Sequence, residues 1–100
     1  MATIIGVAWY EPREWGQLRA VAPDRDKLEA TYGEWLKIAE TGVRDLRAAG
    51  YQPYRVPVTV PALLAWCDAI GQLPDAGARA EYVSAELQRR YEAGLLDHDL

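Results

Sequence analysis

Few residues of this chain could act as nucleophiles. Cys67 and His98 are the only thiol and the only imidazole, and Ser84 is the only serine. Ser84 stands in the segment VSAEL, without the flanking glycines of a nucleophile elbow. Cys67 stands in an apolar stretch, where a free cysteine usually packs as a small hydrophobic residue. We therefore predict no catalytic residue, and the sequence favours a protein that is not an enzyme.

The sequence offers equally little for a metal ion or a cofactor. Asp97, His98 and Asp99 are consecutive, and the side chains of three consecutive residues diverge too far to bind one ion well. The glycines stand singly along the chain, so that neither a Walker pattern nor G-x-G-x-x-G occurs. We predict no bound metal and no cofactor.

Glu11 and Glu14 lie close in sequence to the aromatic residues Trp9, Tyr10 and Trp15. An apolar neighbourhood raises the pKa of a carboxyl group, which could make one of them a general acid or base. The alternative is that both complement the partial positive charge at the N-terminus of a helix that begins at Pro12. The sequence favours this second role.

Aromatic residues are concentrated in the first third of the chain. Trp, Tyr and Arg are the residue types that most often anchor protein interfaces. This predicts a partner-binding surface made of Tyr10, Arg13, Trp15, Tyr32 and Trp35. The alternative is a place in the core, which the helical stripe favours for Trp35. Tyr10 and Trp15 stand at a strand–helix junction, where both interpretations stay open.

Length and composition bound the class of protein. One hundred residues, half of them apolar, suit one domain, predicted over residues 1–94, with a flexible tail over 95–100. The net charge of −4 and the absence of a cationic cluster make nucleic acid an unlikely partner. No apolar run is long enough to span a bilayer, and a single cysteine fits a reducing compartment. We therefore predict a cytoplasmic protein without a membrane partner.

Hydrophobic periodicity predicts an α/β (α+β) fold with the element order β-α-α-β-α-α. The predicted strands are residues 3–10 and 51–58, and the predicted helices are 12–22, 25–49, 60–70 and 77–92. Asp24 is the predicted N-cap of the long second helix, and Gly50 is its predicted terminator. Glu40 and Arg44 are expected to pair on the exposed side of that helix.

Two further expectations concern how the elements pack. The predicted inward face of the second strand is Tyr54, Val56 and Val58, and Pro57 must place that strand at a sheet edge. The predicted buried stripe of the last helix is Ala80, Val83, Leu87 and Tyr91.

Two strands make a marginal sheet, and the first strand has no feature that protects its far edge. We therefore predict a homodimer in which the first strands of two copies pair antiparallel. The result would be a four-stranded sheet in the order 2-1-1′-2′.

Three segments carry a resemblance to a known group of proteins: AWYEPREW with DRDKLEATYGEWL, VPVTVPALLAWC, and GARAEYVSAEL. Together they resemble a family of small uncharacterised bacterial proteins with an aromatic-rich strand start and a Tyr-x-x-Trp helix, here Tyr32 and Trp35. The resemblance covers nearly the whole chain and implies a self-contained bacterial domain. No activity is established for that family, so the resemblance implies no catalytic residue.

These observations favour a small interaction protein that binds itself and a second protein through an aromatic surface. Its size and acidity fit an antitoxin, an immunity protein or an inhibitor. The alternative is a small-molecule binder or small enzyme that stacks its ligand on Trp and Tyr and fixes it with Arg13, Arg55 or a carboxylate. A second alternative is a DNA-binding regulator that uses the last two helices as a helix–turn–helix.

Overall fold

The computed structural model describes residues 3–94 and confirms the predicted α/β fold and its element order. The elements are β1 (Ile4–Trp9), α1 (Pro12–Val21), a 3-10 turn (Arg25–Lys27), α2 (Tyr32–Ala48), β2 (Gln52–Pro57), α3 (Val60–Ile70) and α4 (Ala76–Glu92). The predicted tail, residues 95–100, lies outside the described residues, as do His98 and its neighbouring aspartates.

The two strands pair with each other, and they do so in parallel. Ile4 lies opposite Gln52 and Trp9 opposite Pro57. Parallel strands need a long crossover connection, and here α1, the 3-10 turn and α2 supply it. Within the described part of the chain these two strands form the whole sheet. The predicted twofold dimer, which would add two more strands, stays a prediction.

The sheet is covered by α2 on one face and by α4 on the other, as two apolar strand faces require. Trp9 packs against Trp35 of α2, with ring centroids 5.4 Å apart. On the opposite face, a Cβ added at Gly6 would lie 3.0 Å from Cγ1 of Val83 in α4. The missing side chain therefore lets α4 approach β1 closely.

The alternation predicted for the second strand is confirmed. Tyr54, Val56 and Val58 are buried, whereas Arg55 and Pro57 are exposed. The prediction succeeds because successive side chains of a strand point to opposite faces. Pro57 does stand at an edge of the sheet.

The prediction of one helix over residues 25–49 is wrong. The chain forms a short 3-10 turn, and α2 begins only at Tyr32, with Thr31 as its N-cap. Thr31 Oγ1 accepts a hydrogen bond from Glu34 N–H at 3.1 Å and donates one to the Glu34 carboxylate at 3.1 Å. This T-x-x-E arrangement is typical of a helix start, because the Thr31 side chain satisfies the Glu34 N–H, one of the backbone donors that the first turn leaves free. The terminator is confirmed: Gly50 has φ of 95°.

The predicted buried stripe of the last helix is only half right. Val83 is buried and Leu87 half-buried, but Ala80 is exposed and Tyr91 is 64% exposed. α4 packs against α3 as well as against the sheet, so its buried face is turned toward α3. The residues that it buries are Ala78, Tyr82 and Val83.

Candidate functional site

An aromatic cluster joins the end of β1 to α1 and α2, and its members are Trp9, Tyr10, Trp15, Tyr32 and Trp35. Trp35 is its centre: it stacks on Trp15 at 5.3 Å and meets the other three rings at 5.4 Å. The Tyr32 hydroxyl donates to the Tyr10 carbonyl at 2.9 Å, and Trp15 Nε1 donates to the Glu29 carbonyl at 3.1 Å. Buried polar atoms are thus satisfied and the rings are held in fixed positions.

The structure brings four of the five predicted partner-binding residues together, but in the core. Tyr10, Trp15 and Trp35 are 4%, 3% and 9% exposed, and Tyr32 is half-buried. Arg13 is exposed on α1, and its side chain makes no described contact with the cluster. These four aromatic residues therefore belong mainly to the core and do not form an exposed surface. Whether these residues contact a partner stays a prediction.

Glu14 has a structural partner that sequence spacing did not indicate. It is 8% exposed, and its Oε1 accepts a hydrogen bond from Val60 N–H at 2.6 Å. Val60 is the first residue of α3, whose N-cap Thr59 contributes no side-chain hydrogen bond. Glu14 of α1 thus caps a different helix, and its charge complements the positive end of that helix.

A salt bridge connects the segment after α1 to α4. Arg79 donates two hydrogen bonds to the Asp24 carboxylate, at 2.7 and 2.9 Å. This contact lowers the pKa of Asp24 below its ordinary value of 3.8. Asp24, predicted to be a helix cap, makes no side-chain cap. Burial raises the pKa of the nearby Tyr10, and the charge of Arg79 opposes this effect.

One edge of β1 carries hydrogen-bonding groups that no other strand within residues 3–94 meets. Gln52 N–H donates to the Thr3 carbonyl at 2.8 Å, and Val58 N–H donates to the Trp9 carbonyl at 2.9 Å. Backbone groups of successive strand residues point to opposite sides, so the odd-numbered residues of β1 face β2. The residues that direct their N–H and C=O groups away from β2 are Ile4, Gly6 and Ala8.

The outer edge of β2 differs from that of β1. By the same alternation, Pro53, Arg55 and Pro57 point away from β1. Proline has no N–H, so two of these three positions cannot donate. Proline on an edge strand is a common device against unwanted strand pairing. The chain blocks one edge of its sheet and leaves the other able to pair.

A groove of about 580 Å³ runs along the open edge of β1. Its floor is β1, and its walls come mainly from α2 and α4, with the aromatic cluster at one end. Only two of its lining residues are charged, Glu29 and Arg79, and Arg79 is already bound to Asp24. The wall residues from α2 and α4 include Ile38, Leu46, Ala76, Ala80 and Ser84. The groove was not predicted from the sequence. A signal was present, because Ala76, Ala80 and Ser84 are uncharged and recur at intervals of four, which places them on one face of α4.

Of the candidate nucleophiles within residues 3–94, Cys67 is buried and Ser84 is exposed. Cys67 is 1% exposed, and burial raises the pKa of its thiol. Ser84 is exposed on α4 at the groove. Within residues 3–94, no group of three or more His, Cys, Asp or Glu side chains is placed to hold a metal ion.

The last two helices do not present a free cationic face. Arg79 is paired with Asp24, and Arg89 and Arg90 both lie against Glu86. Contact with Arg89 lowers the pKa of Glu86. These carboxylates offset part of the positive charge that phosphate contacts would use, and the helix–turn–helix alternative stays a prediction.

None of the described helices combines the length and the hydropathy needed to cross a bilayer. The chain matches no protein-family model, no curated protein and no solved structure. The predicted resemblance to small bacterial proteins therefore stays a prediction, and any argument about function rests on the geometry of the chain itself.

Proposed function

We propose that this chain is a protein-interaction domain that binds a second copy of itself through the open edge of β1. The observation that carries the proposal is the contrast between the two sheet edges. β1 offers three outward N–H groups, at Ile4, Gly6 and Ala8, whereas β2 has proline at two of its three outward positions. Unpaired strand edges are ready templates for another strand.

The register of such a pairing follows from the direction of the backbone groups. In an antiparallel pair, residues whose N–H and C=O groups face each other exchange two hydrogen bonds. A twofold axis through Gly6 pairs Gly6 with itself and Ile4 with Ala8 of the second copy. This register uses all three outward positions. The blocked edges of β2 then end the assembly at four strands, in the order 2-1-1′-2′.

The groove walls support a second copy as the occupant. Burying an unpaired charge is costly, so two copies associate more readily through a surface that carries few charges. β1 has no charged residue, and the two charged residues of the groove, Glu29 and Arg79, lie toward the end of β1 near Trp15. The small residues Ala80 and Ser84 allow α4 of each copy to approach closely, since packed helix axes lie about 8–10 Å apart.

A small-molecule ligand fits the same groove less well. The groove volume lies in the usual range for such sites, but small ligands need a few polar groups to orient them. Arg79, the one cation of the groove, is already held by Asp24 at 2.7 Å. The unpaired edge of β1 matches the backbone of another strand better.

Analytical ultracentrifugation of the wild-type chain and two matched variants tests the proposal. Ala80→Glu places a charge in the groove, whereas Ala85→Glu places the same charge on the same helix outside it; both alanines are exposed. We expect wild type and Ala85→Glu to sediment at twice the chain mass of 11.2 kDa. Ala80→Glu should weaken dimerisation by at least about tenfold, because its carboxylate would be desolvated in the interface.

A third variant examines the hydrogen bonds themselves. Ala8→Pro removes an N–H that points away from β2 and leaves the β1–β2 ladder intact. It should also favour the monomer, with circular dichroism and cooperative unfolding confirming that the chain folds. A wild-type chain that stays monomeric at all accessible concentrations would overturn the proposal, and so would equal dimerisation of Ala80→Glu and Ala85→Glu.

A further inference from the structure

A second cavity, the cationic cleft, opens between α2 and β2. It has a volume of about 430 Å³. Its cations are Lys37, Arg44, Arg47 and Arg55, and Glu40 is its only carboxylate. The cleft therefore has a net charge of +3, in a chain whose net charge is −4. No residue lines both this cleft and the groove along β1.

Within residues 3–94, no carboxylate forms an ion pair with a cation of the cleft. The expected pair between Glu40 and Arg44 does not form: Arg44 donates instead to the Thr41 hydroxyl, at 3.2 Å. The ion pairs of residues 3–94 all involve other arginines. A solvated helix face normally mixes charges of both signs in mutual contact. The cleft instead gathers like charges that repel one another.

Arg55 is the one lining residue of the cleft that comes from β2; the others all lie on α2. It projects from β2, and its guanidinium carbon lies 4.2 Å from the centre of the Trp9 ring. A cation–π contact of this kind holds the guanidinium in place. Less conformational entropy is then lost when Arg55 binds a ligand, and preorganisation of this sort raises affinity.

We propose that the cationic cleft binds a small anion that carries two phosphoryl groups. Arginine is the residue best suited to phosphoryl oxygens, because its fork of N–H donors matches them in pairs. A phosphate monoester carries about −1.5 to −2 charges at neutral pH, so two phosphoryl groups match the net charge of the cleft. The volume is in the range of small-molecule sites.

Isothermal titration calorimetry with inorganic pyrophosphate, at constant ionic strength, tests this site. We expect saturable binding of one pyrophosphate per chain. Orthophosphate, with half the charge, should bind at least about tenfold more weakly because it engages fewer of the cations. The double variant Arg44→Gln, Arg47→Gln should weaken pyrophosphate binding by at least about tenfold, since it removes two of the four cations.

The control is the double variant Arg25→Gln, Lys27→Gln. These two exposed cations lie in the 3-10 turn, outside the cleft, and their loss changes the net charge by the same amount. We expect pyrophosphate affinity within about twofold of wild type for this variant, because distant surface charges are screened by salt. Ala80→Glu should also bind pyrophosphate with wild-type affinity, since Ala80 lines the groove and not the cleft.

Three results would overturn the proposal. One is the absence of saturable pyrophosphate binding by the folded wild-type chain. Another is an equal loss in the two double variants, which would indicate diffuse attraction by the whole chain. The third is equal affinity for orthophosphate and pyrophosphate, which would contradict a site built for two phosphoryl groups.

Discussion

Glu14 links α1 to α3, and replacing it should be among the most damaging single substitutions outside the apolar core. Its carboxylate, 8% exposed, accepts a 2.6 Å hydrogen bond from Val60 N–H. Val60 is itself 4% exposed, and the next residue, Pro61, has no N–H to contribute to the first turn of α3. In Glu14→Ala the Val60 donor would therefore be buried without a partner.

The size of the effect follows from the type of hydrogen bond. A hydrogen bond to a charged group contributes about 1.5–3 kcal/mol, and a buried donor left unpaired costs about 1–3 kcal/mol. Both figures describe the loss of one hydrogen bond and are not added together. We therefore expect Glu14→Ala to lower the free energy of unfolding by about 2–3 kcal/mol. Glu14→Gln keeps an acceptor oxygen and loses the charge, so its cost should be about 1 kcal/mol.

Urea unfolding followed by tryptophan fluorescence measures these values. All variants must be compared at one protein concentration, because dimerisation would contribute to the apparent stability. Glu11→Ala is the control: Glu11 is exposed, and its side chain makes no cap. It should stay within about 0.5 kcal/mol of wild type. If Glu14→Ala costs no more than Glu11→Ala, the hydrogen bond from Val60 to Glu14 does not stabilise the fold.

Two further predictions concern titratable groups. Because Arg79 lowers the pKa of Asp24 below 3.8, the ion pair contributes its full stability above that pH and loses it as the pH falls through the lowered value. Between about pH 5 and pH 2, Asp24→Asn should therefore lose less stability than wild type, as measured by thermal unfolding. An equal fall in unfolding temperature in the two proteins over this pH range would contradict the prediction. Cys67 is 1% exposed and burial raises its pKa, so its alkylation by iodoacetamide should be at least about tenfold slower in the folded chain than in urea. Equal rates in the two states would show that the site around Cys67 opens readily.

The cationic cleft and the groove could be predicted from the sequence only in part. Lys37, Glu40, Arg44 and Arg47 follow helical spacing, so their common face on α2 can be read from the chain. What the spacing does not indicate is that Arg55 reaches the same face from β2. Likewise, the unprotected edge of the first strand and the uncharged spacing of Ala76, Ala80 and Ser84 can both be predicted from the sequence, but not that the two lie side by side.

Features that depend only on local chemistry were predictable from the sequence. Proline lacks an N–H wherever it stands, so Pro57 had to lie at an edge, and side-chain alternation along β2 had to bury Tyr54 and Val56. Glycine adopts positive φ without strain, so the end of α2 at Gly50 was also predictable. The order of elements follows from hydrophobic period and these interruptions.

Only the tertiary structure decided the features that depend on contacts between distant residues. The parallel pairing of β1 with β2, the burial of Trp15 beneath Trp35, and the cap that Glu14 provides 46 positions along the chain, at Val60, are of this kind. The same holds for α4, whose buried face depends on α3 as well as on the sheet. An apolar stripe specifies that a helix face is buried, but the direction of that face is set by which elements pack around it.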